Sequence, residues 1–301
     1  MTDPEISMPR LAAIAVSGTD ATEFLRAQLT TDVSRLEPGM AGLAAWCDAQ
    51  GNTLAVFHVV PLENGYVLIT SGDLIDALLK RLRMFVLRAA VQITDLRDSR
   101  RVMAYTGANA PSVTTENDYT FGRIDLTLNN ADGLNWALAL LPADSAGSFE
   151  AAIATDSEAF QLARVDAGVP LISTPTRASF IPQMLNLHWL NAVHFDKGCF
   201  PGQEVIARLQ NRGRLTQRVF RYAWRGARPA AGDSVVKDEQ SRGTVIRVAG
   251  LPSSEDSEGR LLAVVKTSAA EGEQLSTPGA DLSLLNLPYP TPADARPDQA
   301  V

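Results

Sequence analysis

Phe195-Asp-Lys-Gly-Cys-Phe-Pro-Gly-Gln-Glu-Val-Ile-Ala-Arg208 is the densest run of chemistry-bearing residues in this 301-residue chain. Gly198 and Gly202 flank Cys199, so the backbone can bend tightly there. Pro201 suits the first turn of a helix, and Glu204 to Gln210 is helix-friendly. This places Cys199 just ahead of a helix N-terminus and two residues from Lys197. Both neighbours favour thiolate over thiol. Lysine is scarce, four against 23 arginines, so a lysine kept beside a cysteine points to a need for an ammonium. Two readings of Cys199 stand side by side: a reactive thiol, or an inert buried residue. His194 lies five residues upstream and gives a Cys–His hydrolase only weak support. Cys47, in Ala44-Ala-Trp-Cys-Asp48, reads as packing.

Working outward, Asp20-Ala-Thr-Glu23 looks like a capping signal for an amphipathic helix over residues 20–30. Leu54 to Val60 and Tyr66 to Thr70 are rich in β-formers, and Asn64-Gly65 between them signals a hairpin. Ser71 to Phe85 reads as a second helix. Val86 to Asp95, Arg101 to Tyr105, Ile124 to Leu128 and Leu134 to Leu141 read as strands, with a turn at Asn129 to Gly133. Thr155-Asp-Ser-Glu158 reads as a capping box for a third helix that stops at Gly168. After about residue 215 come short strands: Arg218 to Arg225, Ser234 to Lys237, Thr244 to Ala249 and Leu261 to Lys266. Regular short strands imply a small antiparallel barrel or sandwich. No Gly-rich phosphate loop and no internal repeat of 20 to 50 residues is found, which favours α+β over a dinucleotide-binding sheet.

Composition narrows the function. The chain is 46% apolar and 20% charged, which fits a globular protein of about two domains. Its apolar runs are far short of the roughly 20 residues a membrane helix needs, and its start lacks the features of a secretory signal. A net charge of −7 weighs against direct nucleic-acid binding. Two cysteines 152 positions apart, with no ligand-spaced histidine, predict neither a disulfide nor a zinc site and fit a reducing cytoplasm. Between Val205 and Gly232 stand seven arginines and no acid. They read either as a phosphate- or carboxylate-receiving patch or as a face paired to acids elsewhere. Phe220, Tyr222 and Trp224 alternate with polar residues and read as a barrel core face.

Lys197-Gly-Cys-Phe-Pro-Gly-Gln-Glu204 matches the K-G-C-[FY]-x-G-Q-E signature of YgfZ-type folate-binding proteins, relatives of the glycine cleavage T-protein. Phe24 to Val33, Ala44 to Gly51, Asp166 to Pro170 and Phe180 to Leu187 resemble further family segments in the right order. The resemblance covers about residues 11 to 215 clearly. It implies two ferredoxin-like α+β subdomains around a central channel (1–214), a small C-terminal antiparallel β-barrel (215–290) and a loose tail (291–301). It implies tetrahydrofolate or a one-carbon derivative in the channel, and support of iron–sulfur enzymes such as tRNA methylthiotransferases. The family's functional thiol and its neighbouring lysine fall on Cys199 and Lys197, and the G-Q-E on Gly202, Gln203 and Glu204, with Gly198 inside the motif. Arg208 lies where the motif continues. Positions that hold folate-facing tryptophans in the family are Leu11 and Phe160 here. The T-protein carboxylate that meets the reactive folate nitrogen has no counterpart in Asn52 to Phe57, which weighs against aminomethyl transfer. Two distant cysteines cannot supply the four thiolates of a stable iron–sulfur cluster.

Overall fold

The structure is a computed structural model that describes residues 9–37, 41–106, 114–115, 120–126, 136–144, 152–212, 215–251, 257–270, 272 and 274–291. The expected turn at Asn129 to Gly133, the first eight residues and the tail beyond Thr291 lie outside them.

The first half begins with β1 (Leu11–Ser17), α1 (Ala21–Gln28), β2 (Gly42–Cys47), β3 (Thr53–Leu62), β4 (Gly65–Ser71), α2 (Ile75–Phe85) and β5 (Gln92–Asp95). These strands form an antiparallel sheet of order β2-β3-β4-β1-β5. Next come β6 (Arg100–Thr106), β7 (Thr114–Thr115), β8 (Thr120–Leu126), β9 (Trp136–Pro142) and β10 (Ile153–Ala154), in the order β10-β6-β9-β8-β7. Read from the other edge, the second sheet repeats the first strand for strand. Setting aside the edge strands β2 and β7, the remaining four strands of each have the ferredoxin-like order. The duplication is one of topology, invisible as a repeat of residues. α3 (Glu158–Asp166) and α4 (Gln203–Arg212) follow.

The barrel comprises β11 (Gln217–Gly226), β12 (Ser234–Lys237), β13 (Gln240–Gly250), β14 (Glu258–Lys266), α5 (Thr267–Ala270), β15 (Leu275–Thr277) and β16 (Ala280–Leu285), and β16 closes on β11. Alternation works on both of its faces. Phe220, Tyr222 and Trp224 fill the barrel, while Val219, Ile246, Leu262 and Val264 face outward into the core shared with the sheets. Burying each such side chain contributes about 1.5–3 kcal/mol, so the barrel is bound to the body by apolar packing.

Several local signals resolve differently from their sequence reading. Asp20 does not cap α1; its carboxylate accepts the Ala90 N–H at 2.7 Å, and the helix ends at Gln28. The cap of α3 is Ser157, and Thr155 accepts the Leu11 N–H instead. Val86 to Val91 is irregular, and only Gln92–Asp95 pairs as a strand. The hairpin turn is Glu63-Asn64, with Gly65 paired to Ser17 at φ +150°, where a Cβ would lie 2.3 Å from the Val16 carbonyl oxygen. The stop at Gly168 stands, at φ +66°.

Candidate functional site

The cysteine segment is a loop strapped onto the first sheet. After α1 the chain turns through Thr30, Thr31 and Asp32, all buried. Both threonine hydroxyls donate to the Ala192 carbonyl, at 2.6 and 2.9 Å. The Asp32 N–H donates to Nδ1 of His194 at 3.1 Å, and the His194 N–H to the Thr30 carbonyl at 2.9 Å. The Asp32 carboxylate accepts from Ser34 and pairs with Arg26 at 2.9 Å, and these contacts hold it below the usual carboxylate range. Arg35 pairs with Asp196 at 2.9 Å.

Lys197 is placed by the end of α1. Its Nζ donates to the carbonyls of Arg26 (2.6 Å) and Leu29 (2.7 Å) and stands 4.6 Å from the centroid of Phe200. These carbonyls are the negative end of the helix, so an ammonium is well matched to them. Burial pushes the Lys197 pKa down to about 8, with the Asp32 carboxylate acting in the opposite sense. Lys197 is therefore an anchor of the loop as well as a charge beside the thiol. Cys199 and Gly198 are exposed, and Phe200 is buried beneath them. Cys47 is buried, and its thiol is pushed up to about 12, which makes it inert.

α4 starts at Gln203, four residues after Cys199. Gly202 sits at φ +79° against the Asp48–Gly51 turn, whose Gly51 is itself at φ +83°. The two family-like segments are thus in direct contact. Gln203 is half-buried, Glu204 and Arg208 are exposed on α4, and the Ile206 carbonyl accepts from Gln183 at 2.7 Å.

A second constellation, not singled out in the sequence, lies where both sheets and the barrel meet. Arg164 on α3 and Arg247 on β13 are 0% and 1% exposed. Nη1 of Arg164 lies 2.9 Å from Nε2 of His58 on β3, and Nη1 of Arg247 donates to Oε1 of Gln161. Nε and Nη2 of Arg164 and Nε of Arg247 are buried without a hydrogen-bond partner. Burial and the neighbouring Arg164 guanidinium both oppose the charge of Arg247. Two buried cations with unmet donors, and with no carboxylate bonded to them among the described residues, are costly on their own. They fit a ligand group rich in oxygen acceptors.

A cavity of about 610 Å³ lies at the seam of β1 with β6 and β10, and the side chains of the arginine cluster are not among its lining. Leu11, Ala12, Val102 and Met103 give it an apolar wall, and Arg100 and Asp73 are among its polar members. Thr155 lines it and accepts at its carbonyl from Nε2 of Gln161 at 2.5 Å, so one amide links the cavity to Arg247. Leu11 therefore faces the cavity. Phe160 does not: it is fully buried between Trp136 (5.4 Å, edge-on) and Arg164. On β3 no carboxylate is present, and His58 is the polar side chain turned to the cluster.

Within the arginine-rich stretch, three side chains pair with acids. Arg221 reaches Asp166, Arg225 reaches Glu258 and Arg228 reaches Glu158. Arg218 lies over the rings of Trp189 and Phe220. Among the described residues no His, Cys, Asp and Glu group is poised to hold a metal, and no helix is long and apolar enough to cross a membrane.

Residues 6–123 match the family described as the GCVT N-terminal domain. A tRNA-modifying protein YgfZ of Colwellia psychrerythraea is 27% identical over 249 residues, 78% of this chain and 76% of its own length. An uncharacterized protein of Haemophilus influenzae is 30% identical over 220 residues, 71% of each chain. The glycine cleavage system aminomethyltransferase T of Bartonella henselae superposes with a TM-score of 0.68 at 18% identity, over 94% of this chain and 84% of the other. The chain belongs to the YgfZ family of T-protein relatives. In this YgfZ-type chain the T-protein fold is kept across both sheets and the barrel.

One pH effect follows from the burial around this junction. His188 is 7% exposed, and burial pushes its pKa down to about 4. The unfolded chain takes up this proton near pH 6.5, the folded chain only near 4. Stability therefore falls as pH drops across that window, by about 3 kcal/mol at its lower end. His58 acts with the same sign, because burial, Arg164 and Arg247 all lower its pKa. Urea midpoints measured between pH 7 and pH 4 will fall steadily, and His188→Gln will flatten the profile. A midpoint constant over this range would contradict the assignment.

Proposed function

We propose that this YgfZ-type chain binds a reduced folate, tetrahydrofolate or a one-carbon derivative, and supports iron–sulfur enzymes, including tRNA methylthiotransferases, through the thiol of Cys199. The reading includes the division into a folate-binding body (1–214) and a barrel (215–290), and a cytoplasmic setting. The observation that supports it is the pair of buried guanidiniums with unmet donors, one of them joined through Gln161 and Thr155 to a cavity of ligand size. Arg164 and Arg247 would receive oxygen atoms of the folate, Gln161 would orient Arg247, and Leu11 would contribute apolar wall. The folate supplies ring and linker nitrogens able to carry a one-carbon unit. β3 carries no carboxylate to meet such a nitrogen, which favours an accessory role over aminomethyl transfer.

Cys199 is exposed, and Lys197, two residues before it, anchors its loop to the end of α1. Its reach is outward, toward another macromolecule. The test is genetic. Deleting the gene will lower methylthiolated nucleosides in total tRNA at least tenfold by mass spectrometry. The native copy will restore them, and a folded Cys199→Ser copy will not. Full rescue by the serine variant would end the thiol reading.

A further inference from the structure

We propose that the C-terminal end of α2 is a docking surface for an acidic, apolar segment of a protein partner, placed beside the Cys199 loop. Met84, Phe85 and Leu87 are 67%, 39% and 86% exposed. Three large apolar side chains in one short stretch form a patch of the kind that marks interaction sites. Between Ala77 and Thr94 the chain carries Lys80, Arg81, Arg83 and Arg88 and no acid, in a molecule of net charge −7.

The acids that face this end are occupied elsewhere. Asp20 accepts the Ala90 N–H, Glu23 pairs with Arg26, and Asp76 and Asp95 pair with Arg97. Arg81 lies 5.9 Å from the centroids of Trp46 and Phe85, and Arg83 donates to the Ile93 carbonyl at 3.4 Å and sits in the field of Asp95. Lys80 and Arg88 form no ion pair among the described residues. The surface is therefore apolar at its centre and basic at its rim, and its complement is apolar and acidic.

Buried contacts link the patch to the anchor of the cysteine loop. Phe85 stands edge-on to Trp46 at 6.3 Å. Nε1 of Trp46 donates to Gln28 at 3.4 Å, and its backbone bridges to Leu29. The Leu29 carbonyl holds Lys197. Phe195 and Val205, also exposed, lie on either side of Cys199 in the sequence. Other occupants fit less well. α2 has 11 residues and buries Leu78, Leu79 and Leu82 inward, so only Met84 and Phe85 at its end stay apolar and exposed, too little of the helix to lie in a membrane surface. RNA would want an open ring face, and Phe85 is committed to Trp46. A two-fold pairing of copies would set basic rim against basic rim.

A photo-reactive benzoylphenylalanine at position 87 of the full-length chain, irradiated in the host, tests this. The control places it at the exposed Leu284 of the barrel. The expected product is an adduct to another protein, whose cross-linked peptide carries acidic residues next to apolar ones. Lys80→Glu with Arg88→Glu, both on exposed side chains, will cut the yield at least tenfold, and lysines in place of the partner's acids will restore it. An adduct only to RNA, lipid or a second copy would overturn the proposal. So would a yield no higher than at Leu284, or one indifferent to charge reversal. This readout does not depend on folate or on methylthiolation, so it fails or succeeds separately from the proposed function.

Discussion

Replacing Arg247 by methionine will weaken folate binding about a hundredfold while making the ligand-free protein more stable. The two signs come from one cause. In the ligand-free chain Arg164 and Arg247 are stripped of water, and each repels the other. Their compensation is small: a contact between Arg164 and His58 at 2.9 Å, and a bond from Arg247 to Gln161. Methionine keeps the apolar stem and removes the charge. It leaves Oε1 of Gln161 without its donor, a loss of about 1–3 kcal/mol. It also relieves a desolvation penalty of several kcal/mol per ion. The net expectation is a gain of about 2 kcal/mol, read as a higher urea midpoint.

With tetrahydrofolate present the sign reverses. A lost charge-assisted hydrogen bond costs about 1.5–3 kcal/mol, and in a site this buried the upper end applies, which is the hundredfold. Titration calorimetry under reducing conditions measures it. Saturating ligand at a hundred times its Kd should add about 2.7 kcal/mol to the native protein and far less to the variant. If the variant were less stable without ligand and bound folate as tightly as the native chain, the arginines would be structural and the site would lie elsewhere.

Neither arginine was legible in the sequence, and the reason is physical. A charge at one strand or helix position reads as a solvent-facing residue, because periodicity reports a face and not what later covers it. Arg247 lies in a strand expected from its β-formers, and Arg164 in a helix expected from its capping pattern. Only the docking of barrel on body buries them together. The same limit explains the misread caps. Asp20 and Thr155 have the right side chains for local capping, but partners 70 and 144 positions away claim them. β1 escaped notice because Leu-Ala-Ala-Ile-Ala-Val-Ser is apolar throughout and alanine-rich, with no alternation to reveal it. It sits inside the sheet between β4 and β5, buried nearly along its whole length. What was legible was chemistry packed into short segments: the cysteine motif, the stop at Gly168 and the alternating aromatic face of β11. The function of Lys197 as a helix anchor was hidden, since its carbonyl partners lie 168 and 171 positions away.

Two glycines of the motif differ in a way that separates fold from exposure. A Cβ at Gly202 would meet the Gly51 Cα at 2.5 Å, the Asp48 carbonyl oxygen at 2.7 Å and the Gly51 nitrogen at 2.7 Å. All three are backbone atoms. They cannot give, because the Asp48 carboxylate accepts from the N–H groups of Gln50 and Asn52, both at 2.9 Å, and from the Asn52 amide at 3.1 Å. Gly202 also lies at φ +79°, a region that costs other residues about 1–2 kcal/mol. Gly202→Ala will therefore destabilise the protein by about 3 kcal/mol or more, and it will free the Cys199 loop from the Asp48–Gly51 turn. At Gly198 a Cβ meets nothing within 4 Å, and φ is not left-handed. Gly198→Ala will stay within about 0.5 kcal/mol of the native chain. Urea midpoints give the stability difference, and the rate of Cys199 alkylation by iodoacetamide reports the loop. The rate will change in the Gly202 variant and hold in the Gly198 variant. Equal effects at the two glycines would mean that contact with the Asp48–Gly51 turn does not set the position of the thiol, and that the anchoring of Lys197 on α1 is sufficient by itself.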